Sequence, residues 1–212
     1  MKHLGILLSG RGSNFLAIAD AIDRGQIEGA DISIVISNRA EAAGIAAARA
    51  RGLSTQVVEA RGRKRAEQDA EIIACLQDHG VDLVCLAGYM RLLSPEFVAA
   101  YPQAILNIHP SLLPAFPGLD AQAQALQYGV AVTGCTVHFV DEQLDHGVIV
   151  LQRAVPVLQG DDEETLSARI LEQEHIAYPE AISRVLSGNY TIVDRRYVSR
   201  ASHNETLIEE SK

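Results

Sequence analysis

The sequence predicts a single α/β domain: a mostly parallel, doubly wound sheet with helices on both faces and an antiparallel C-terminal edge. Two observations carry this prediction. Between His3 and Ile108, short runs that are apolar throughout alternate with amphipathic segments, which is typical of parallel strands buried on both faces. After that, the extended runs Val132–Val140 and Gly147–Val157 are separated only by a short polar segment, which favours an antiparallel pair at a sheet edge.

Each element follows from its local pattern. Continuous apolar or β-branched runs predict strands, and apolar residues at helical spacing predict helices. Pro95 suits the first turn of a short helix. The remaining predicted strands are His3–Leu8, Asp31–Ser37, Thr55–Val58, Asp82–Ala87 and Ala104–Ile108, and the predicted helices are Phe15–Ile22, Glu41–Arg51, Arg63–His79, Pro95–Tyr101 and Glu163–Leu186.

The chain is predicted to fold as one domain over residues 1–190, followed by a polar tail over 191–212 that is loosely held after about Arg195. Met1 and the short polar end lead us to expect a free-standing protein. The sequence does not decide between a monomer and a homodimer.

Composition excludes several classes of protein. The formal net charge of −9 argues against a nucleic-acid partner, because binding phosphates requires a surplus of cations. The longest N-terminal apolar stretch is too short for a signal peptide or a membrane span, so no membrane association is expected. Three widely spaced cysteines, of which Cys85 and Cys135 lie in apolar runs, favour reduced thiols and a cytoplasmic location.

Several familiar sites are absent. The glycine pattern that begins at Gly10 resembles a dinucleotide fingerprint, but Phe15 replaces its third glycine. The sequence contains neither a phosphate-loop lysine motif nor a serine nucleophile elbow. Glu172 and His175 have a spacing used in carboxylate metal sites, but no second copy exists, so no metal is predicted.

The turn after the first predicted strand is a candidate anion site. Gly12, Ser13 and Asn14 lead from a strand into a helix, where free backbone N–H groups and the positive end of the helix suit one phosphate group. An ordinary strand-to-helix turn with a capping residue is the alternative interpretation.

Asn107 and His109 form the second candidate site. Residues two apart on a strand share a face, and Pro110 ends this strand at the carboxyl edge of the sheet, where α/β folds bind ligands. A carboxylate from the acidic loop that begins at Asp141 could orient His109. The three groups together suit acyl transfer, with an oxyanion donor, a proton shuttle and an orienting carboxylate, and they leave the nucleophile to a substrate.

Several segments, in this order along the chain, resemble phosphoribosylglycinamide formyltransferases, folate-dependent enzymes of purine synthesis. The resemblance extends over about residues 1–190. The segments that carry it are Ser9–Asn14, Leu86–Leu93, Asn107–Pro114, Phe116–Gly118, Thr136–Val140, Leu144–Asp145 and Gln173–His175.

The resemblance implies transfer of the formyl group of 10-formyltetrahydrofolate to the amine of 5-phosphoribosylglycinamide, with small-molecule partners and no metal. It implies a phosphate-binding N-terminal half and a folate-binding C-terminal half. It makes Asn107, His109 and Asp145 the expected catalytic residues. It assigns substrate binding to Gly12, Ser13, Asn14 and Glu174, and folate binding to Arg65, Met90, Arg91, Leu92, Leu93, Asn107, Asp141, Glu142, Gln143 and Leu144.

Two alternatives stay open at this point. A formyltetrahydrofolate deformylase, a hydrolase, looks similar around Asn107, His109 and Asp145 but gives the formyl group to water. A non-catalytic folate- or nucleotide-binding module on the same fold is the other. The intact catalytic set argues against the module, and the phosphate turn argues for a phosphorylated acceptor.

Overall fold

The structure is a computed structural model that describes residues 1–200. The predicted sheet is present and has seven strands, in the spatial order β3-β2-β1-β4-β5-β6-β7. The first five strands are parallel, whereas β6 is antiparallel to β5 and β7 is antiparallel to β6. The predicted mostly parallel sheet with an antiparallel edge is therefore confirmed. The strands are β1 (Lys2–Leu8), β2 (Ala30–Ser37), β3 (Thr55–Val57), β4 (Leu83–Leu86), β5 (Ile105–His109), β6 (Val132–Phe139) and β7 (Ile149–Pro156).

Helices cover both faces of the sheet and enclose two apolar cores. In β1, Ile6 and Leu8 belong to one core and Leu7 to the other, as expected for successive residues of a strand buried on both faces. The core around Ile6 is closed by α1 (Ser13–Asp23), α2 (Ala43–Ala50) and α6 (Glu163–Leu186). The core around Leu7 is closed by α3 (Arg65–Asp78) and α4 (Pro95–Ala100).

One helix of the structure, α5 (Ala121–Tyr128), is missing from the sequence analysis. It alternates alanine with glutamine and leucine and buries only Ala121 and Ala125. Because it has no apolar stripe, hydrophobic periodicity could not identify it.

The segment 191–212, assigned to a polar tail, begins differently from that expectation. The expected boundary at residue 191 falls inside a hairpin of β8 (Tyr190–Val193) and β9 (Arg196–Ser199). Tyr190 and Tyr197 stack on each other, with ring centroids 4.7 Å apart, and both pack against the core around Ile6. Two aromatic residues thus order a stretch that otherwise looks polar, and residues 201–212 of the predicted tail lie outside the described residues.

Candidate active site

Asn107 and His109 lie where β5 ends at the carboxyl edge of the sheet. Strand alternation directs both side chains to the same side, as the sequence predicts. His109 is only 5% exposed, and its Nε2 lies 2.9 Å from the carbonyl oxygen of Phe116. Since that oxygen can only accept, Nε2 carries a hydrogen, and Nδ1 is left to face the rest of the site.

Asp145 lies beside His109. It comes from the loop between β6 and β7, and its Oδ2 is 3.4 Å from Nδ1 of His109. The same oxygen accepts a hydrogen bond of 2.7 Å from the backbone N–H of Gly118, which holds the carboxylate in place. A hydrogen added at Nδ1 would point toward this carboxylate, which is placed to stabilise the charged ring.

His138 is a member of this cluster that the sequence analysis did not single out. In the antiparallel pairing of β5 and β6 it stands directly opposite Asn107, and the Asn107 amide nitrogen lies 3.2 Å from His138 Nε2. Its Nδ1 donates to the carbonyl of Phe139, 2.8 Å away, so Nε2 is free to accept from Asn107. Burial lowers the pKa of His138, more than Asp145 raises it, which keeps the ring neutral and able to accept.

This contact fixes the orientation of the Asn107 side chain. An amide that donates one N–H to His138 keeps its second N–H for another acceptor. The motif around His138 is visible in the sequence, but only the register of β5 against β6 shows that it faces Asn107.

The turn that is predicted to bind phosphate leads from β1 into the start of α1. Gly12 precedes the helix with φ of 77°, in the left-handed region that favours glycine, and no side chain caps the helix N-terminus. A Cβ at Gly12 would lie 2.8 Å from the Cα of Gly44 in α2, so the close approach of the two helices also requires glycine. With no side-chain cap, the backbone N–H groups of the first turn remain available to a ligand.

The Asn14 side chain already has a partner within the chain. Its amide nitrogen donates one N–H to Glu174 Oε2 over 2.7 Å, whereas its Oδ1 is buried with no partner among the described residues. Burial raises the pKa of Glu174 above its ordinary value, and the hydrogen bond from Asn14 only partly opposes this. The two residues predicted to bind substrate thus also bind each other.

The predicted folate residues lie at different parts of the carboxyl edge. Met90 and Arg91 line a cavity of about 540 Å³, whose lining carries both signs of charge, from Arg39 and Arg61 and from Glu41 and Glu59. Leu144 and Asp145 line a second cavity of about 680 Å³. Met90 and Leu144 thus line two different cavities. Arg65 is exposed at the first turn of α3, Leu92 is exposed, and Leu93 packs against the second core.

The acidic loop is ordered largely by Asp141. One oxygen of this carboxylate accepts from the backbone N–H of Gln143, at 2.9 Å, and the other lies 2.8 Å from Nδ1 of His146. Glu142 is exposed. Over residues 1–200 no group of three or more histidine, cysteine, aspartate or glutamate side chains is arranged to hold a metal ion. Over the same residues no helix combines the length and apolar character needed to cross a membrane.

Comparison with known proteins gives consistent matches. The formyl transferase family model matches residues 2–182. Phosphoribosylglycinamide formyltransferase of Escherichia coli (strain K12) is 45% identical over 187 residues, covering 88% of each chain. The crystal structure of glycinamide ribonucleotide transformylase 1 from Symbiobacterium toebii is similar with a TM-score of 0.91 and 50% identity, over 94% of each chain.

Longer relatives also match. The human trifunctional purine biosynthetic protein adenosine-3 is 48% identical over 187 residues. These residues make up 88% of this chain but only 18% of the human protein, and the chain spans as little as 14% of the trifunctional relatives from flies. The family match over most of the chain, together with the identity to full-length relatives, shows that this protein belongs to the formyl transferase family.

Proposed function

We propose that this protein transfers the formyl group of 10-formyltetrahydrofolate to the amine of 5-phosphoribosylglycinamide, as a step of purine biosynthesis. The observation that carries the proposal is the cluster of Asn107, His109 and Asp145 at the carboxyl edge of the sheet, in which the His109 ring and the Asp145 carboxylate are buried. The names of the full-length relatives support the choice of substrates.

The groups around the cluster favour direct transfer over an acyl-enzyme. The Thr136 hydroxyl donates to the carbonyl of Ser111, and the Ser111 hydroxyl donates to the carbonyl of Ala115. Burial raises the pKa of the nearby Cys135 thiol to about 12, so it stays protonated. Because these three groups are poor nucleophiles, the attacking group belongs to a substrate.

The reaction then needs three contributions from the chain. The acceptor amine attacks the formyl carbon and forms the new C–N bond, and the free N–H of Asn107 stabilises the resulting oxyanion. Collapse of this intermediate breaks the bond between the formyl carbon and the folate nitrogen. His109 passes the proton lost by the amine to that nitrogen, and Asp145 stabilises the charged imidazole while it holds the proton.

The substrate sites are proposed on either side of this cluster. The N–H groups at the start of α1, from Gly12 to Asn14, bind the phosphate of the acceptor, with the Ser13 hydroxyl as a further donor. Glu174 binds close to the ribose. Met90, Arg91, Leu92 and Leu93 hold the folate together with residues 141–144, and Arg65 meets its carboxylate tail.

We also propose a cytoplasmic location, supported by the three unpaired thiols Cys75, Cys85 and Cys135.

One assay tests the proposed function. The protein is incubated with 10-formyltetrahydrofolate, with and without 5-phosphoribosylglycinamide, and release of tetrahydrofolate is followed. Release that requires the acceptor supports the transferase. Equal release without the acceptor indicates a hydrolase, and no release in either case indicates a binding module.

A further inference from the structure

The hairpin of β8 and β9 reaches the loop that carries Asp145. Its turn residue Arg195 donates from its Nη2 to the backbone carbonyl of His146, the residue that follows Asp145. The same turn and the same loop line the cavity of about 680 Å³. A segment remote in sequence thus contacts the backbone next to a proposed catalytic carboxylate.

Asp145 itself is in an unfavourable backbone conformation. Its φ is 50°, in the left-handed region, which is uncommon for non-glycine residues although aspartate adopts it more readily than most. Such conformations persist only where surrounding contacts hold them, and they are common at functional sites. The Asp145 side chain is held by the N–H of Gly118. The backbone next to it is held by the hydrogen bond from Arg195 to the carbonyl of His146.

Arg195 occupies a position that local backbone preferences do not explain. Asp194 and Arg195 form the two-residue turn between paired Val193 and Arg196, with φ of 47° and 64°. A two-residue turn with positive φ at both positions favours asparagine or aspartate followed by glycine. Asp194 fits this preference, but an arginine in the second position is strained.

Aromatic contacts anchor the β8–β9 hairpin, whose turn carries the Arg195 guanidinium. Tyr190 stacks on Tyr197 and lies 6.1 Å, between ring centroids, from Phe139 at the end of β6. The contact with the loop is shared with His146, whose Nδ1 lies 3.2 Å from Nη1 of Arg195 and 2.8 Å from Asp141 Oδ2. The shorter contact is the hydrogen bond, because Arg195 offers only donors and Nδ1 must donate to Asp141.

We propose that Arg195 is a positioning residue that holds the loop of Asp141 to Gly147, and through it the Asp145 carboxylate, in the orientation that faces His109. The kinetic part of this inference rests on the proposed function. The strained turn is retained because it places the guanidinium on the carbonyl of His146, and a glycine there would relax the turn and release the loop.

Arg195→Gly distinguishes a positioning role from a purely structural one, because the two roles predict different combinations of kcat and unfolding temperature. Glycine removes the strain at this φ, so the variant is expected to unfold at the same temperature as the wild type or higher. With the loop released, kcat is expected to fall about tenfold, while KM for the acceptor stays unchanged because the phosphate turn is at α1. Arg195→Lys keeps one donor and is expected to restore part of kcat.

Asp194→Gly is the matched control, since it relaxes the other position of the same turn but keeps the Arg195 guanidinium, and the Asp194 side chain makes no hydrogen bond among the described residues. It is expected to leave kcat unchanged. If Arg195→Gly leaves kcat unchanged, or lowers kcat only together with the unfolding temperature, the positioning role is wrong.

Amide hydrogen exchange provides a readout that does not depend on activity. The Gly118 N–H is bonded to Asp145, so its exchange reports the position of the carboxylate. Arg195→Gly is expected to speed exchange of this amide at least severalfold, and Asp194→Gly is not. If Gly118 exchange is unchanged in Arg195→Gly, the inference is wrong, whether or not the wild type is active as a transferase. If exchange is faster in the variant but the wild type is inactive, only the proposed function is wrong.

Discussion

Asn107 is the residue whose removal tests the proposed chemistry most simply. In Asn107→Ala the oxyanion loses its side-chain donor, and we expect kcat to fall about 100- to 1000-fold. The circular dichroism spectrum and unfolding temperature should stay close to those of the wild type. Asn189→Ala, at an exposed asparagine far along the chain, is the matched control and should keep full activity. Turnover of Asn107→Ala within a few-fold of wild type would make Asn107 a structural residue.

His138 is expected to act by orienting Asn107. His138→Phe fills the same buried position but offers no acceptor for the Asn107 amide, so we expect kcat to fall about tenfold with little change in either KM. His138→Gln restores an acceptor and should recover part of the loss. Equal kcat in the Phe and Gln variants would show that the hydrogen bond to Asn107 does not matter.

The pH dependence of His138 follows from the sign of its shift. Burial lowers the pKa of His138 in the folded protein, so between that value and the ordinary one of 6.5 only the unfolded chain binds the proton. Stability therefore falls as the pH drops through this window and is unaffected by His138 above it. In His138→Phe, the free energy of unfolding should lose this part of its acid dependence, which denaturant titrations at several pH values can measure.

At the scale of single elements, Tyr178 connects α6 to the edge of the sheet where the site lies. Its buried hydroxyl is 3.1 Å from the carbonyl oxygen of Leu86 in β4 and 2.9 Å from that of Leu106 in β5. Tyr178→Phe leaves these carbonyls without that donor, and we expect a loss of about 1–3 kcal/mol in the free energy of unfolding.

Denaturant titration measures the loss of stability in Tyr178→Phe, and kcat measures its effect on the site. Because Asn107 lies in β5 next to Leu106, a modest change in kcat is expected, smaller than that of Asn107→Ala. A variant as stable as the wild type would show that the hydroxyl contributes nothing net.

Elements with strong apolar patterns could be predicted from the sequence, and weakly patterned ones could not. The buried strands and α6 follow from continuous or periodic apolar residues, and Asp162, which accepts from the N–H of Thr165, marks the start of α6. In contrast, α5 and the hairpin depend on contacts made only in the folded chain. Short amphipathic stretches with few apolar residues carry too little local information to be recognised.

In the site, too, the sequence predicts some features and not others. Asn107 and His109 could be singled out because strand geometry relates residues two apart. The pairing of Asn107 with His138 depends on strand register, and that of Asn14 with Glu174 joins positions 160 residues apart in sequence. Neither relation is encoded in a local pattern, so the sequence identified these segments but not their partners.

At the scale of the whole molecule, Glu174, proposed to bind close to the ribose, affects stability through its burial. Burial raises its pKa, so between its ordinary value of 4.5 and the raised one the folded protein binds more protons than the unfolded chain. Stability is therefore lost as the pH rises through this window. Glu174→Gln has no charge to bury, and its amide oxygen can still accept from Asn14.

We expect Glu174→Gln to be more stable than the wild type near about pH 7, with a difference that shrinks toward about pH 4 as the wild-type carboxyl becomes protonated in both states. Binding of 5-phosphoribosylglycinamide, measured by calorimetry, should weaken. A variant that is less stable at neutral pH, or that binds the acceptor as tightly as the wild type, would contradict the role given to Glu174.

The destination of the formyl carbon tests the central claim most directly. The protein is supplied with 10-formyltetrahydrofolate labelled with carbon-13 in the formyl group and with 5-phosphoribosylglycinamide, and the label is followed by NMR. The account predicts that the label moves into the formamide of the acceptor in step with tetrahydrofolate release, and that Asn107→Ala slows this transfer without diverting it. Label that accumulates as free formate at the same rate with and without acceptor would contradict the account.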